Sequence, residues 1–139
     1  SAASDVYKRQ VDYRGVLAKD QVAALLQTSR VGLSPLLNQG QYWKAENLAT
    51  KICEYLAMGL PVVMNGSAYN RAFVERWHCG ICVDPENVEE IASAIRYLLD
   101  HPEEARQMGE NGRQAVREEF NWGVEEKKLL ALYEEIFKE

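Results

Sequence analysis

The chain has three cysteines and two histidines in 139 residues, and no apolar run approaches the ~20 residues that span a bilayer. An odd cysteine count, with no signal-peptide pattern at the start, excludes a disulfide framework and leads us to expect reduced thiols in a cytoplasmic protein. Cys79 and Cys82 have the spacing of a redox pair, but Val83-Asp84-Pro85 follows where such a motif would open a helix. With His78 they offer three ligands and no fourth, which fits no common zinc pattern, so the thiols read as small buried hydrophobes and no metal is expected. Basic clusters are also missing. Lys and Arg are interspersed among Asp and Glu at a net charge of -5, which leaves no stripe for a nucleic-acid backbone. No internal repeat or low-complexity segment is present.

What is there has the composition of one ordinary globular domain, 47% hydrophobic and 27% charged. The first ten residues, SAASDVYKRQ, match one for one the in-frame translation of a transposase sequencing adapter. Residues 1–10 are therefore set apart from the fold, and the domain is read over residues 11–139. Val11-Asp12-Tyr13-Arg14-Gly15 reads as a short strand, and Lys19 to Thr28 as a helix that turns Val22, Leu25 and Leu26 inward. Arg30 to Ser34 is a second strand, leaving the sheet at Pro35, which cannot join a ladder. A polar loop, Leu36 to Ala45, carries Tyr42 and Trp43 as packing aromatics.

Pro61 to Met64 is a buried strand, with Asn65-Gly66-Ser67 at the carboxyl end where open parallel sheets bind ligands. A helix over Tyr69 to Arg76 and a strand over Gly80 to Val83 follow. Asn87 with Glu90 caps a helix whose stripe is Val88, Ile91, Ala92, Ile95, Leu98 and Leu99. Pro102 opens the next helix, with Asn111-Gly112 as a candidate break. The last, Gly123 to Lys138, is expected to bury Val124, Leu129, Leu130, Leu132, Tyr133 and Ile136. Short apolar strands alternating with helices predict an α/β fold with a Rossmann-like parallel sheet flanked by helices.

Residues 46 to 63 form the centre of the chain: a polar loop, a short helix, a stop at Gly59 and Pro61, and the buried strand. Glu46 and Glu54 have seven residues between them, and Lys51, three before Glu54, shares its helical face. Such a face can hold a ligand, or it is a solvated surface on which Glu46 answers the helix dipole and Lys51 is an ordinary exposed lysine.

KICEYLAMGLPVV, followed by CGICVDPENVEEIASAI, LLDHPEEARQMGENGR and EEFNW, resembles the C-terminal half of retaining glycosyltransferases of the group 1 type, glycosyltransferase family 4. The resemblance covers residues 11–139 and implies a GT-B fold: two Rossmann-like domains across a cleft, the C-terminal one binding a nucleotide-sugar without a metal or other cofactor. It also implies roles for individual residues. Glu54 accepts hydrogen bonds from ribose hydroxyls, Glu46 faces the transferred sugar as the catalytic-site residue, and Leu48, Ala49, Thr50 and Lys51 meet the diphosphate at the helix start. Ser34 and Pro35 belong to the same donor-nucleotide site.

The surround Ala45-Glu46-Asn47 departs from the family's usual Glu-Gly-Phe-Gly. The family's diphosphate-binding Arg and Lys fall upstream of residue 11, as does the acceptor domain, and Arg14 sits in the wrong strand to replace that arginine. The strand at Val11 would be the third of a 3-2-1-4-5-6 sheet, with the two strands between it and the strand at Arg30 absent. The expected function is the donor half of a retaining glycosyltransferase, inactive by itself. Its partners would be a nucleotide-sugar and an unknown acceptor, with peripheral membrane association open. A GT-B nucleotide-sugar epimerase is the near alternative. A flavodoxin-like signalling module is the distant one, and it would need an acidic pair at Gly15-Val16-Leu17 and a phosphorylatable Asp near Ser34-Pro35.

Overall fold

The computed structural model describes residues 10–138, so the adapter-like stretch lies outside the described residues apart from Gln10. Three parallel strands, β1 (Gly32–Ser34), β2 (Val62–Asn65) and β3 (Gly80–Val83), form one sheet in the order β1-β2-β3. Val62 pairs with Gly32 on one side and Gly80 on the other. Among the described residues seven helices surround it: α1 (Lys19–Thr28), α2 (Gln41–Lys44), α3 (Thr50–Ala57), α4 (Ala68–Trp77), α5 (Val88–Asp100), α6 (Pro102–Glu119) and α7 (Trp122–Ile136).

Every residue of β2 is buried, which is why the strand reads as a continuous apolar run. Its side chains alternate between two cores. Val62 and Met64 face Ile52 and Leu56 of α3 and Phe73 of α4, while Val63 joins Val83, Ala94 and Leu98 beneath α5. Local chemistry sets the helix ends. Asn87 Oδ1 accepts from the Glu90 N–H at 3.1 Å, and Ser67 Oγ accepts from the Asn70 N–H at 3.2 Å. Gly59, at φ 75°, closes α3: its N–H reaches the Leu56 carbonyl at 2.9 Å, and the Leu60 N–H reaches Tyr55 at 3.0 Å. That paired geometry needs a left-handed residue, and glycine adopts it freely.

Four expectations are corrected. Val11 to Gly15 is not a strand: it is exposed and unpaired, because β1 pairs only with β2 and no described neighbour offers Val11 a ladder. Leu25 of α1 is exposed, and only Val22, Ala23 and Leu26 on that helix are half-buried. Asn111-Gly112 does not break α6, which runs uninterrupted to Glu119. Both residues are docking points instead: Asn111 Nδ2 donates to the His78 carbonyl at 3.1 Å, and a Cβ on Gly112 would stand 2.7 Å from Leu56 Cδ2. Arg113 Nη2 donates to the Met58 carbonyl at 3.2 Å, tying α6 to the end of α3.

The last correction concerns α7, which buries no residue. Leu129, Leu130, Leu132, Tyr133 and Ile136 are exposed, Ile136 by 58%, and Val124 alone of the expected set is half-buried. The stripe is present, but no described element covers it. On α5, Ala94 and Leu98 are buried, while Val88 and Leu99 at the ends of the stripe stay exposed. No helix among the described residues is long and apolar enough to cross a membrane, and no cluster of three metal-ligating side chains forms there.

Candidate functional site

The carboxyl end of β2 and the start of α3 open on one cleft of about 600 Å³. Leu36, Glu46, Leu48, Ala49, Thr50, Asn65 and Asn70 line it. In a parallel sheet this is the end at which loops converge and ligands bind. Ala49 is the N-cap of α3, at φ -62° and ψ 141°, and has no side chain that can cap; the first turn holds no carboxylate. Its carbonyl accepts from the Ile52 and Cys53 N–H groups at 2.9 and 3.3 Å. The N–H groups of Thr50 and Lys51 therefore have no acceptor among the described residues, at the end of the helix that carries its positive partial charge. Chemically this is a place for an anion.

Glu46 is exposed on the rim of this cleft and borders two further grooves, one with Trp43 and Tyr69, the other reaching Arg76, Glu119 and Trp122. Glu54 is elsewhere. It lies four positions beyond Thr50, one turn up the exposed face of α3, and lines a groove of about 400 Å³ with Leu17, Lys19, Val22 and Leu26. The structure thus gathers Glu46, Leu48, Ala49 and Thr50 into one cleft and leaves Glu54 outside it. Lys51 is exposed on α3 and does not line the cleft.

Ser34 and Pro35 are also outside the cleft lining. Ser34 is fully buried, and its Oγ is the one enclosed side-chain polar atom without a hydrogen-bond partner among the described residues. A Cβ on Gly32 would run into Tyr55 of α3, so Ser34, two positions on, faces the same side.

Sequence reasoning reached the Asn65-Gly66-Ser67 loop but missed Asn70. Asn70 Nδ2 donates to the Asn65 backbone carbonyl at 2.9 Å and to Asn65 Oδ1 at 3.3 Å, while Asn65 Nδ2 donates to Asn38 Oδ1 at 3.4 Å. The only signal was a polar residue three positions after the Ser67 cap, too common a pattern to single out. The thiols are quiet. Burial pushes Cys79 up to about 12 and Cys82 up to about 11, and it raises Cys53 as well. His78 serves through its backbone, in the left-handed conformation at the end of α4.

The family profile described as "Glycosyl transferase-like" matches residues 2–131. The MMP alpha-(1->4)-mannosyltransferase of Mycolicibacterium hassiacum is 30% identical over 119 residues, 85% of this chain and 27% of that protein. The GDP-mannose-dependent alpha-(1-6)-phosphatidylinositol monomannoside mannosyltransferase of Mycobacterium tuberculosis is 29% identical over 86% of this chain and 31% of its own length. Among solved structures, sucrose-phosphate synthase from Thermosynechococcus elongatus superposes with a TM-score of 0.77 at 27% identity, covering 91% of this chain and 30% of that one. The chain spans about a third or less of the length of these relatives. By its profile match, its parallel α/β sheet and its structural neighbour, the chain belongs to the glycosyl transferase-like family with the GT-B fold.

Proposed function

We propose that the intact protein is a glycosyltransferase that moves a sugar from a nucleotide-sugar to an acceptor with retention of configuration, and that this chain supplies most of its donor-binding half. The observation that carries the reading is the uncapped start of α3, with free N–H groups at Thr50 and Lys51, opening on a cleft whose rim is Glu46. A diphosphate resting there is held by backbone donors and the helix dipole, with Lys51 adding a point charge. The ribose then lies one turn on, about 5.4 Å along the axis, within reach of Glu54, while the sugar enters the cleft toward Glu46. Catalysis rests on positioning and on stabilising the diphosphate as it leaves, with no metal required. The reaction belongs in the cytoplasm. The relatives' names make GDP-mannose the first donor to try.

Thr50→Pro in the intact enzyme tests this. Thr50 is the first residue of α3, where proline is well tolerated, and Ala49 before it already has the extended backbone that a following proline demands. The substitution removes one N–H and leaves the helix in place. If that N–H binds the diphosphate, affinity for GDP and GDP-mannose falls by about 1.5 to 3 kcal/mol, the range for a hydrogen bond to a charged group. In calorimetry, Glu54→Gln should weaken both ligands while Glu46→Gln leaves GDP unaffected and lowers transfer. Unchanged binding in Thr50→Pro, or equal losses of GDP affinity in both glutamine variants, would refute the assignment.

A further inference from the structure

We propose that Asn70 reads a hydroxyl group of the transferred sugar, with Asn65 as the residue that fixes its orientation; this rests on the donor reading given above. Asn70 is buried at the third position of α4, its backbone N–H bound by Ser67 Oγ, so the helix cap pins the base of the side chain. Its carboxamide nitrogen faces the Asn65 backbone carbonyl at 2.9 Å and Asn65 Oδ1 at 3.3 Å. A backbone carbonyl only accepts, so the nitrogen must point that way: turning the amide over would set oxygen against oxygen.

The orientation leaves Asn70 Oδ1 without a donor among the described residues. Because Ser34 Oγ is the one fully enclosed polar side-chain atom there that lacks a partner, Asn70 Oδ1 is unpaired but not enclosed, and Asn70 lines the cleft at whose rim Glu46 stands. Asn65, held in turn by its contact to Asn38 on the loop after β1, keeps the carboxamide from rotating. A neutral acceptor in a fixed direction, on the wall facing the sugar, selects for a hydroxyl at one ring position. A site built to bond a hydroxyl discriminates strongly against the analogue that lacks it, because its own polar atom is then left dry.

The experiment is calorimetry on the intact enzyme with GDP and UDP, with GDP-mannose and UDP-glucose, and with the deoxy forms of whichever nucleotide-sugar binds. Asn70→Ala and the volume-matched Asn70→Leu are compared with the wild type, each checked by thermal melting. Affinity for the nucleotide-sugar should fall by about 3- to 10-fold in both variants, while affinity for the bare nucleoside diphosphate stays within about twofold. One deoxy donor should bind the wild type as weakly as the intact donor binds Asn70→Ala, and should lose nothing further in the variant. Equal losses for diphosphate and nucleotide-sugar would mean a merely structural role, and unchanged sugar affinity would remove Asn70 from the site; either overturns the inference and leaves the donor reading standing. A wild-type enzyme that binds no nucleotide ligand would overturn both.

Discussion

Replacing Gly109 with alanine separates two opposed effects of glycine in a helix. In an exposed helix the change stabilises by about 1 kcal/mol, because alanine loses less backbone entropy. Gly109 is buried where α6 crosses the end of α3, and a Cβ there would meet the Gly59 carbonyl group, its carbon only 2.8 Å away. The obstacle is backbone and cannot rotate aside. Moving it disturbs the Gly59 and Leu60 N–H bonds to Leu56 and Tyr55, each worth about 1 kcal/mol, on top of overpacking at about 1 to 3 kcal/mol. Against the propensity gain, Gly109→Ala should destabilise by about 2 to 4 kcal/mol, at the high end for a point substitution. Gly123→Ala is the control: on exposed α7 its Cβ would approach only Asn121 Oδ1, at 3.2 Å, so the propensity gain should show as a stabilisation of up to about 1 kcal/mol. The assay is urea unfolding at constant slope. If Gly109→Ala is as stable as the parent, α6 does not cross α3 this closely.

Ser34→Ala removes the buried hydroxyl that has no partner, so the chain should unfold at equal or higher urea concentration, by up to about 1 to 2 kcal/mol, where a clear loss would show that the hydroxyl is bonded. The folded state favours the neutral thiols of Cys79 and Cys82, raised from 9.0 to about 12 and about 11. Their contribution is full below pH 9 and is lost as the pH climbs toward those values, so the urea midpoint should fall in that window and fall less in Cys79→Ala. A midpoint equally pH-dependent in both proteins would contradict this. Cutting the chain after Lys128 removes the exposed stripe of α7, and should reduce binding of a hydrophobic dye with little cost in stability. A large loss of stability would mean that α7 is packed.

Where the chemistry is local, the sequence and the structure agree residue for residue. Lys19–Thr28 and Gly80–Val83 have the expected bounds, and Val88–Asp100 starts at its Asn87 cap and stops before Pro102. The failures share a cause: each depends on what lies next to the segment. A strand at Val11 needs a ladder partner, which its own residues cannot supply. Gly112 reads equally as a helix breaker or as a seat for another helix, and only the position of Leu56 decides between them. The apolar stripe of α7 says that the helix can bury one face, not that anything covers it.

The candidate site shows the same division at finer scale. The family resemblance implied that Glu46 and Glu54 serve one donor, but the seven residues between them would put both side chains on a common face only where the path is helical. Here Glu46 to Ala49 lie ahead of the first turn, so the periodicity that governs Glu54 begins at Thr50 and does not extend back to Glu46. The two side chains consequently diverge, Glu46 to the rim of the cleft and Glu54 up the outside of α3. A single ligand that touches both must bend over the first turn of that helix. Its middle then rests on the Thr50 and Lys51 N–H groups, which are backbone atoms that any helix not opening on proline presents. What makes them available is a set of omissions: no side chain at Ala49 that caps, no acid in the first turn, and a glycine stop after eight residues that anchors the far end against α6. On the proposed reading the fixed point of the site is therefore the start of α3, and the carboxylates and Asn70 are the groups proposed to select what is placed on it.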